Sequence, residues 1–436
     1  MATELKGRDI EQAVSSLFSK EEVEEVARET GFIRRERKIN AWLLLWTLVL
    51  GFTVERRRSM ASLRRVYERL SGETLMPSSF QDRFVAPLVT FLKRLAELAL
   101  KRRVPTEARL RGMWSAFRDV VLADATVLKL HRGLKEVFRG TGRGSCEAAA
   151  KLNMVMSVSG GGPLSVRVGP ETRNDGRSLS IGPWVKGRLL MMDLGYYSFQ
   201  LFDRIQRNHG YFISRVKTGA NPRLLKMLRA IPGRPIGLEG KKLKQVLPSL
   251  LREVLDAEAQ VEFRRRTYKG RRSTGRLKLR LVGLRDSSSG RYHLYYTNVP
   301  AEMLTAEQVA LSYSGRWLVE LLFREMASTY RLKELDCANE HFVKASIYSC
   351  LLTLIVSRAL LEAVKRRCRG AALYATPERW ARLFSAIAIE IAELLTAPFV
   401  KTSRVQRALR MVLSEAPDVH LKRQGGLLHR LEFAYA

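Results

Sequence analysis

Apolar positions recur at helical spacing through residues 1–110, and we predict that this part of the chain is all-helical. Ser19 and the glutamates that follow it predict a helix that ends near Gly31. The apolar run 41–50 predicts a buried helix, because a membrane span needs roughly 20 residues. Pro77 has the surroundings of a capped helix start. The pattern therefore predicts a compact helical domain at this end of the chain.

From Val120 onward the apolar positions follow the period of strands. Strands are predicted over 120–130, 152–159, 164–168, 189–193 and 211–217, with a helix over 197–208. Residues 171–187 are polar and indicate no clear element. This order of strands and helix predicts a mixed α/β sheet, so the expected fold class is mixed α+β.

Residues 218–295 interrupt this core with three more segments that alternate at period two. They carry a dense set of cations: Arg264, Arg265, Arg266, Lys269, Arg271, Arg272, Arg276, Lys278 and Arg280. We predict a basic β insertion along a DNA backbone; the alternative is an antiparallel sheet whose charged face meets water. The chain from residue 300 onward is predicted to be helical, with 347–361 in the core.

Five divisions of the chain follow from these patterns. They are a helical domain over 1–112, a mixed α/β core over 113–217, the basic insertion over 218–295, the second part of the core over 296–370, and a helical region over 371–436. Four cations, Arg34, Arg35, Arg37 and Lys38, lie between the predicted helix that ends near Gly31 and the apolar helix over 41–50. Their position favours DNA binding there. The alternative is a helical bundle with a solvated basic surface.

The balance of charge narrows the class of partner. The chain of 436 residues has 76 Lys and Arg against 43 Asp and Glu, a net charge of +33, and 46% of its residues are hydrophobic. Such a chain is globular, and its excess charge implies a polyanionic partner. Nucleic acid is favoured over an anionic membrane surface, and binding should weaken as salt rises.

Cysteine and histidine give no sign of a zinc site or a disulfide framework. The four cysteines are far apart without CxxC spacing, and the six histidines form no ligand pair at helical spacing. Incidental thiols in a reducing compartment are the preferred interpretation. The first residues are polar and charged, without a secretory signal, so we expect a cytoplasmic, nucleoid-associated protein.

Three carboxylates stand out by their placement. Asp124 lies inside an apolar strand, Asp193 ends another, and Glu320 lies on a predicted helix. A buried charge is costly unless it is paired or bound to metal. At one end of a sheet these acids could hold two Mg²⁺ or Mn²⁺ ions, roughly 3.5–4 Å apart, for in-line displacement at phosphorus. Singly, each has a plainer explanation as a turn residue or half of a helical ion pair.

Cations and an aromatic hydroxyl accompany Glu320. Tyr313, Arg316 and Glu320 stand at i, i+3 and i+7 and share a helix face at about 100° per residue. Arg324 and Arg331 continue this predicted face. Guanidinium and hydroxyl groups beside an acid would position a phosphate for the reaction.

The signature blocks resemble those of a known family. They are Asp124-Ala-Thr, Asp193-Leu-Gly-Tyr-Tyr, Tyr211-Phe-Ile-Ser-Arg, Tyr296-Thr-Asn298 and Tyr313-x2-Arg316-x3-Glu320. In kind and order these blocks resemble the DDE transposases of prokaryotic insertion sequences, in particular the insertion-sequence-four family. The resemblance implies a ribonuclease-H-like core, a metal-binding triad of Asp124, Asp193 and Glu320, and contacts of Tyr313 and Arg316 with DNA phosphate. It also implies cut-and-paste transposition by a homodimer that pairs two element ends.

One position departs from the family pattern. The pattern continues Glu-x6-Lys, and the corresponding residue here is Ala327. The family lysine is expected to contact the terminal phosphate, and Arg324 or Arg331 could supply that contact here. If neither does, the chain is an impaired or repurposed transposase that binds DNA without cutting it. A nuclease on the same core, without strand transfer, is the third alternative.

Overall fold

The computed structural model describes residues 6–35, 39–54, 58–102, 110, 112–142, 147–173, 175–229, 237–265, 273–335, 337–367, 377–396 and 402–415. Helices occupy both ends of the described chain, and one large sheet lies between them. Six of the predicted DNA-binding or insertion cations fall outside these ranges: Arg37, Lys38, Arg266, Lys269, Arg271 and Arg272.

The first part of the described chain is helical, as predicted. Its helices are α1 Gly7–Ser15, α2 Lys20–Glu29, α3 Ala41–Leu50, α4 Met60–Ser71, α5 Pro77–Gln81 and α6 Ala86–Arg102. The side chain of Ser19 accepts a hydrogen bond from the Glu22 amide, so it caps α2 as expected. Helix α3 is buried along most of its length. Its lack of a polar face explains why it lies in the core.

The sheet contains nine strands among the described residues. They are β1 Asp119–Lys129, β2 Ala149–Ser157, β3 Gly162–Pro170, β4 Arg188–Met192, β5 Tyr211–Arg215, β6 Arg223–Met227, β7 Val254–Arg264, β8 Thr274–Arg285 and β9 Tyr292–Thr297. The short helices α7 Asp175–Ser178, α8 Phe199–Arg207 and α9 Leu243–Val246 lie between strands. The spatial order is β3-β2-β1-β4-β5-β9-β8-β7-β6. Strands β1, β4 and β5 are parallel and the other pairs antiparallel, which confirms the mixed α/β sheet.

The predicted insertion is continuous with the core through hydrogen bonds. Strand β9 pairs with β5 on one side and with β8 on the other. The basic strands therefore extend the central sheet. Alternating residues of β1 face two separate apolar clusters, with Leu122 in the larger one and Ala123 in the smaller one. The domain divisions at 217/218 and 295/296 stay predictions.

The last described helices pack on the first. They are α10 Ala306–Ser314, α11 Trp317–Arg324, α12 Glu340–Arg367, α13 Pro377–Thr396 and α14 Thr402–Glu415. The indole N–H of Trp42 donates to the Leu395 carbonyl at 2.8 Å, and the Thr353 hydroxyl donates to the Val49 carbonyl at 2.6 Å. Among the described residues, the Glu340–Arg366 stretch alone is long and apolar enough to cross a membrane, and 78% of its most apolar window is buried inside the fold.

The prediction of one continuous helix through Tyr313, Arg316 and Glu320 is wrong. Helix α10 ends at Ser314 and α11 begins at Trp317, with Gly315 between them, a residue that lowers helix stability. A π-helical turn, Glu325–Thr329, follows α11. Arg331 has a φ of 56° in the left-handed region, so it does not continue the face of the helix.

Candidate active site

Asp124 and Asp193 lie at neighbouring positions of the sheet. In the parallel pair of β1 and β4, Ala123 stands opposite Met192; Asp124 is the next residue of β1, and Asp193 directly follows β4. The two carboxylates therefore reach the same edge, where β4 ends. The Tyr313 hydroxyl donates to the Met192 carbonyl at 3.3 Å, which holds the end of α10 at this edge.

Arg316 joins Asp124 to Glu320. Its Nη1 lies 2.6 Å from Asp124 Oδ2, and its Nη2 lies 2.6 Å from Glu320 Oε1. Helix α11 packs against β1, so the two acids come together although they are far apart in sequence. The ion pair between Arg316 and Glu320, weighed as the plain explanation for Glu320, is present. Because Arg316 also bonds to Asp124, this ion pair is part of the predicted group of site residues.

Burial and like charges govern the ionisation of this edge. Burial raises the pKa of Asp124 and outweighs the Ala125 amide and Arg316, which lower it. The negative charges of Asp193 and Glu320 raise the pKa of Asp124 further, which places both acids within its electrostatic range. Burial also raises the pKa of Tyr313 to about 12, so this phenol stays protonated and can donate.

The donor set suits hard divalent ions. Carboxylate oxygens are the ligands that Mg²⁺ and Mn²⁺ prefer. Burial disfavours the charged form of Asp124, and a bound cation would offset that cost. In the described part of the chain, no three His, Cys, Asp or Glu side chains are arranged so that they could hold a metal ion. The guanidinium of Arg316 lies between Asp124 and Glu320 and supplies positive charge there.

The other predicted phosphate contacts lie in different surroundings. The Arg324 guanidinium is 5.5 Å from the centre of the Trp317 ring and lines a cavity of about 390 Å³ with Leu318 and Leu321. Arg34 and Arg35 are exposed after α2. Arg264 and Arg265 are exposed at the end of β7, and the Gln200 side chain donates to the Arg264 carbonyl at 2.7 Å. Their contacts with DNA stay predictions.

Ala327 does not lie where the helical register predicts. It is 8% exposed inside the π-helical turn, while the next residue, Ser328, is exposed. A π turn inserts an extra residue per turn and rotates everything after it. A lysine at position 327 would therefore have to emerge from a buried position in this fold.

Two groups at this edge were missed by the sequence reasoning. Ser214 pairs with Met192, so Arg215 stands level with Asp193, and its charge acts to lower the pKa of Tyr313. Arg215 belongs to one of the quoted signature blocks, which was the available signal. Asp175, in the segment that indicated no element, lies 3.2 Å from Lys151 Nζ.

The Tyr196 hydroxyl is influenced by the charges of Asp175 and of two predicted acids, Asp124 and Asp193, so it links Asp175 to this site. This hydroxyl donates to Asn153 Oδ1 at 3.0 Å. Burial raises the pKa of Tyr196, and the charges of Asp175, Asp124 and Asp193 raise it further. No sequence pattern pointed to this, because the group forms only through the pairing of β1 with β2 and β4.

The fold and the site define a class: a strongly basic mixed α/β protein in which Arg316 joins Asp124 to Glu320 beside the end of β4, which Asp193 directly follows. A family model described as "Transposase DDE domain" matches residues 115–356, which is more than half of the chain and contains Asp124, Asp193 and Glu320. The chain belongs to this family of DDE transposases, and the predicted membership is confirmed.

The chain is also similar to two transposases of insertion sequences and to one solved structure. The chain is 24% identical over 373 residues to the transposase for insertion sequence element IS231F of Bacillus thuringiensis subsp. israelensis, covering 77% of this chain and 76% of that one. It is 20% identical over 384 residues to the transposase for IS1151 of Clostridium perfringens, covering 81% and 80%. A piggyBac transposase synaptic complex with hairpin DNA overlaps 94% of this chain and 85% of that one, with a TM-score of 0.46 and 14% identity.

Proposed function

We propose that this transposase cuts DNA at the ends of an insertion sequence and joins the freed 3′ ends to target DNA. The observation that carries the proposal is that Arg316 forms ion pairs with both Asp124 and Glu320, next to the end of β4, which Asp193 follows. Carboxylates gathered next to a phosphate-binding guanidinium suit phosphoryl transfer. The chain's net charge of +33 suits a polyanionic substrate.

The proposed reaction has two displacements at phosphorus. In the first, a water oxygen attacks the phosphate at the element end; the bond from phosphorus to the 3′ oxygen breaks, and that oxygen takes up a proton. In the second, the new 3′ hydroxyl attacks a target phosphate, and the target's own 3′ oxygen leaves. Two Mg²⁺ or Mn²⁺ ions held by Asp124, Asp193 and Glu320 would activate the attacking oxygen and stabilise the leaving one.

The remaining side chains of this edge bind and orient DNA in the proposal. Arg316 can form two parallel hydrogen bonds to a phosphate, and Tyr313 adds a neutral donor. Arg215 supplies a further exposed cation level with Asp193. The cations of the first helices and of β7, among them Arg34 and Arg264, would hold the duplex away from the chemistry.

Two further parts of the proposal concern assembly and location. The partners are double-stranded DNA, namely terminal inverted repeats and target, and a second copy of the chain in a synaptic homodimer. We place the reaction in the cytoplasm, at the nucleoid. Support for DNA comes from the basic composition and from relatives named for insertion sequences. Assembly is tested by measuring mass with and without a duplex of the element end.

The chemistry is tested by replacing each acid with alanine. Asp124→Ala, Asp193→Ala and Glu320→Ala should each abolish Mg²⁺-dependent cleavage of a supercoiled plasmid that carries the correct terminal repeats, while binding persists. Glu378→Ala is the matched control, because Glu378 is an exposed acid paired with Arg382 on α13. The assignment is wrong if end cleavage survives all three single changes.

A second function, DNA binding without cleavage, rests on Ala327. Its buried place in the π turn supplies no cation at the acidic edge. A gel shift and a cleavage assay on the same wild-type preparation separate the two functions. Specific binding with no Mg²⁺-dependent nicking would favour the repurposed protein. Joined target products would exclude both this role and that of a simple nuclease.

A further inference from the structure

We propose that DNA controls entry of metal into this site, because Arg316 ties Asp124 to Glu320 until a DNA phosphate draws its guanidinium away. The inference rests on the proposed function and goes beyond it, since it concerns the protein before DNA arrives. It makes Arg316 an internal counterion in the free protein and a phosphate ligand in the complex.

The contacts of Arg316 are those of a counterion. One guanidinium reaches both carboxylates, with each nitrogen 2.6 Å from its oxygen. The side chains of Arg316 and Asp124 are only 19% and 13% exposed, so this pair is shielded from bulk water. Shielded charges interact more strongly than exposed ones. Arg316 therefore partly compensates the charge of these acids in the free protein without a metal.

The same contacts oppose metal binding. Asp124 Oδ2 and Glu320 Oε1 each hold a guanidinium N–H, and a divalent ion bound to those oxygens would lie beside a positive charge. Mg²⁺ also demands closely defined octahedral geometry.

The position of Arg316 makes exchange with DNA feasible. It stands at the junction of α10 and α11, next to Gly315, and belongs to neither helix. Its partner Glu320 is 41% exposed, so one side of the ion-pair bridge faces solvent. A phosphate offers a guanidinium two parallel hydrogen bonds, which match those it would give up.

Reciprocal linkage gives the proposal a measurable form. If DNA releases the acids for metal, then DNA must raise the affinity for metal by the same factor as metal raises the affinity for DNA. Removing the guanidinium should raise metal affinity in the absence of DNA. The effect of DNA on metal affinity should then be small in the variant.

The test measures Mn²⁺ binding directly, by electron paramagnetic resonance or calorimetry on the full chain. Wild type, Arg316→Ala and Arg316→Lys are titrated with Mn²⁺ alone and with a pre-cleaved duplex of the element end, on which no hydrolysis can occur. We expect Arg316→Ala to bind Mn²⁺ about tenfold more tightly than wild type without DNA, as for a coupling of ordinary size. With the duplex, wild type should approach the variant.

The matched control is Arg382→Ala, which removes one exposed cation from α13 without touching the acids. It should leave the Mn²⁺ affinity unchanged, which separates the specific ion pairs from net charge. Adding Glu320→Gln to Arg316→Ala should abolish the gain. Circular dichroism checks that each variant is folded.

The inference is overturned if Arg316→Ala binds Mn²⁺ no more tightly than wild type, or if the duplex leaves wild-type affinity unchanged. These results are distinct from failure of the proposed function. If wild type cleaves DNA although the duplex does not change its Mn²⁺ affinity, the proposed transposase reaction holds and the control of metal entry by DNA does not. If the duplex raises the Mn²⁺ affinity but no cleavage occurs, the control of metal entry by DNA holds and the proposed reaction does not.

Discussion

Replacing Glu325 with glutamine tests the support beneath the candidate active site. Glu325 begins the π-helical turn five residues after Glu320, and its side chain is 5% exposed. Its Oε2 forms an ion pair with Arg358, itself 4% exposed, and its Oε1 accepts from the Tyr330 hydroxyl at 2.5 Å. Glutamine keeps the shape and an acceptor for Tyr330. It removes the negative charge that compensates the buried guanidinium.

The magnitude follows from that burial. Removing one partner of a buried pair destabilises by about 3–5 kcal/mol, because the other charge stays buried and uncompensated. An exposed pair contributes about 0–1 kcal/mol. Glu378→Gln is therefore the control, since the Glu378 and Arg382 side chains are 55% and 74% exposed. We expect a large loss of stability for Glu325→Gln and almost none for Glu378→Gln.

The assay is urea denaturation followed by tryptophan fluorescence, with a double-mutant cycle. Trp380 donates to the Ser357 carbonyl at 3.0 Å, so a tryptophan lies beside this network. Arg358→Met removes the guanidinium, and the double variant Glu325→Gln with Arg358→Met should be more stable than Glu325→Gln alone. The reasoning is refuted if Glu325→Gln and Glu378→Gln lower the midpoint equally, or if the cycle shows no coupling.

Two other buried groups give further predictions. In the wild type, Arg280 lies 2.7 Å from the buried Asp256 carboxylate. Arg280→Met removes this partner and should lower the free energy of unfolding in urea by about 3–5 kcal/mol. Arg276→Met on the same strand breaks an exposed pair and should lower it by under about 1 kcal/mol. Equal losses would contradict this. Burial raises the pKa of Asp119, so this group stabilises the fold below its unfolded pKa of about 3.9, and that stability is lost as pH rises through the folded pKa. The stability of wild type relative to Asp119→Asn should therefore fall as pH rises above about 4, and a relative stability that grows with pH would contradict the assignment.

The acids could be predicted from the sequence because strand periodicity and a misplaced charge are both local signals. Asp124 interrupts an apolar strand, and Asp193 follows one directly. An ionised side chain at such a place needs a compensating partner, whatever the rest of the fold. The structure supplies Arg316 as that partner for Asp124.

The local geometry around Glu320 could not be predicted in the same way. A helical wheel assumes a constant rotation per residue, and both the junction at Gly315 and the π turn change that rotation. The prediction that Arg331 continues the helix face was wrong for this reason, and its contact with DNA stays a prediction. Tertiary packing decides these breaks: the Tyr330 hydroxyl, after the turn, bonds to Ser357 of α12 at 2.9 Å.

Arg215 and Asp175 were missed because their meaning depends on strand register. Arg215 matters through the pairing of Ser214 with Met192, which brings it level with Asp193. Asp175 follows β3 and meets Lys151 of β2. A sequence pattern identifies strands, but it does not say which residues stand side by side.

Manganese scattering tests the central claim most directly. Crystals of the full chain with a pre-cleaved duplex of the element end and Mn²⁺ would be measured at the manganese absorption edge. The account predicts two anomalous peaks, roughly 3.5–4 Å apart, contacted by Asp124, Asp193 and Glu320, with Arg316 on a DNA phosphate. Peaks remote from these acids, or carboxylates too far apart to share an ion while DNA is bound, would contradict it.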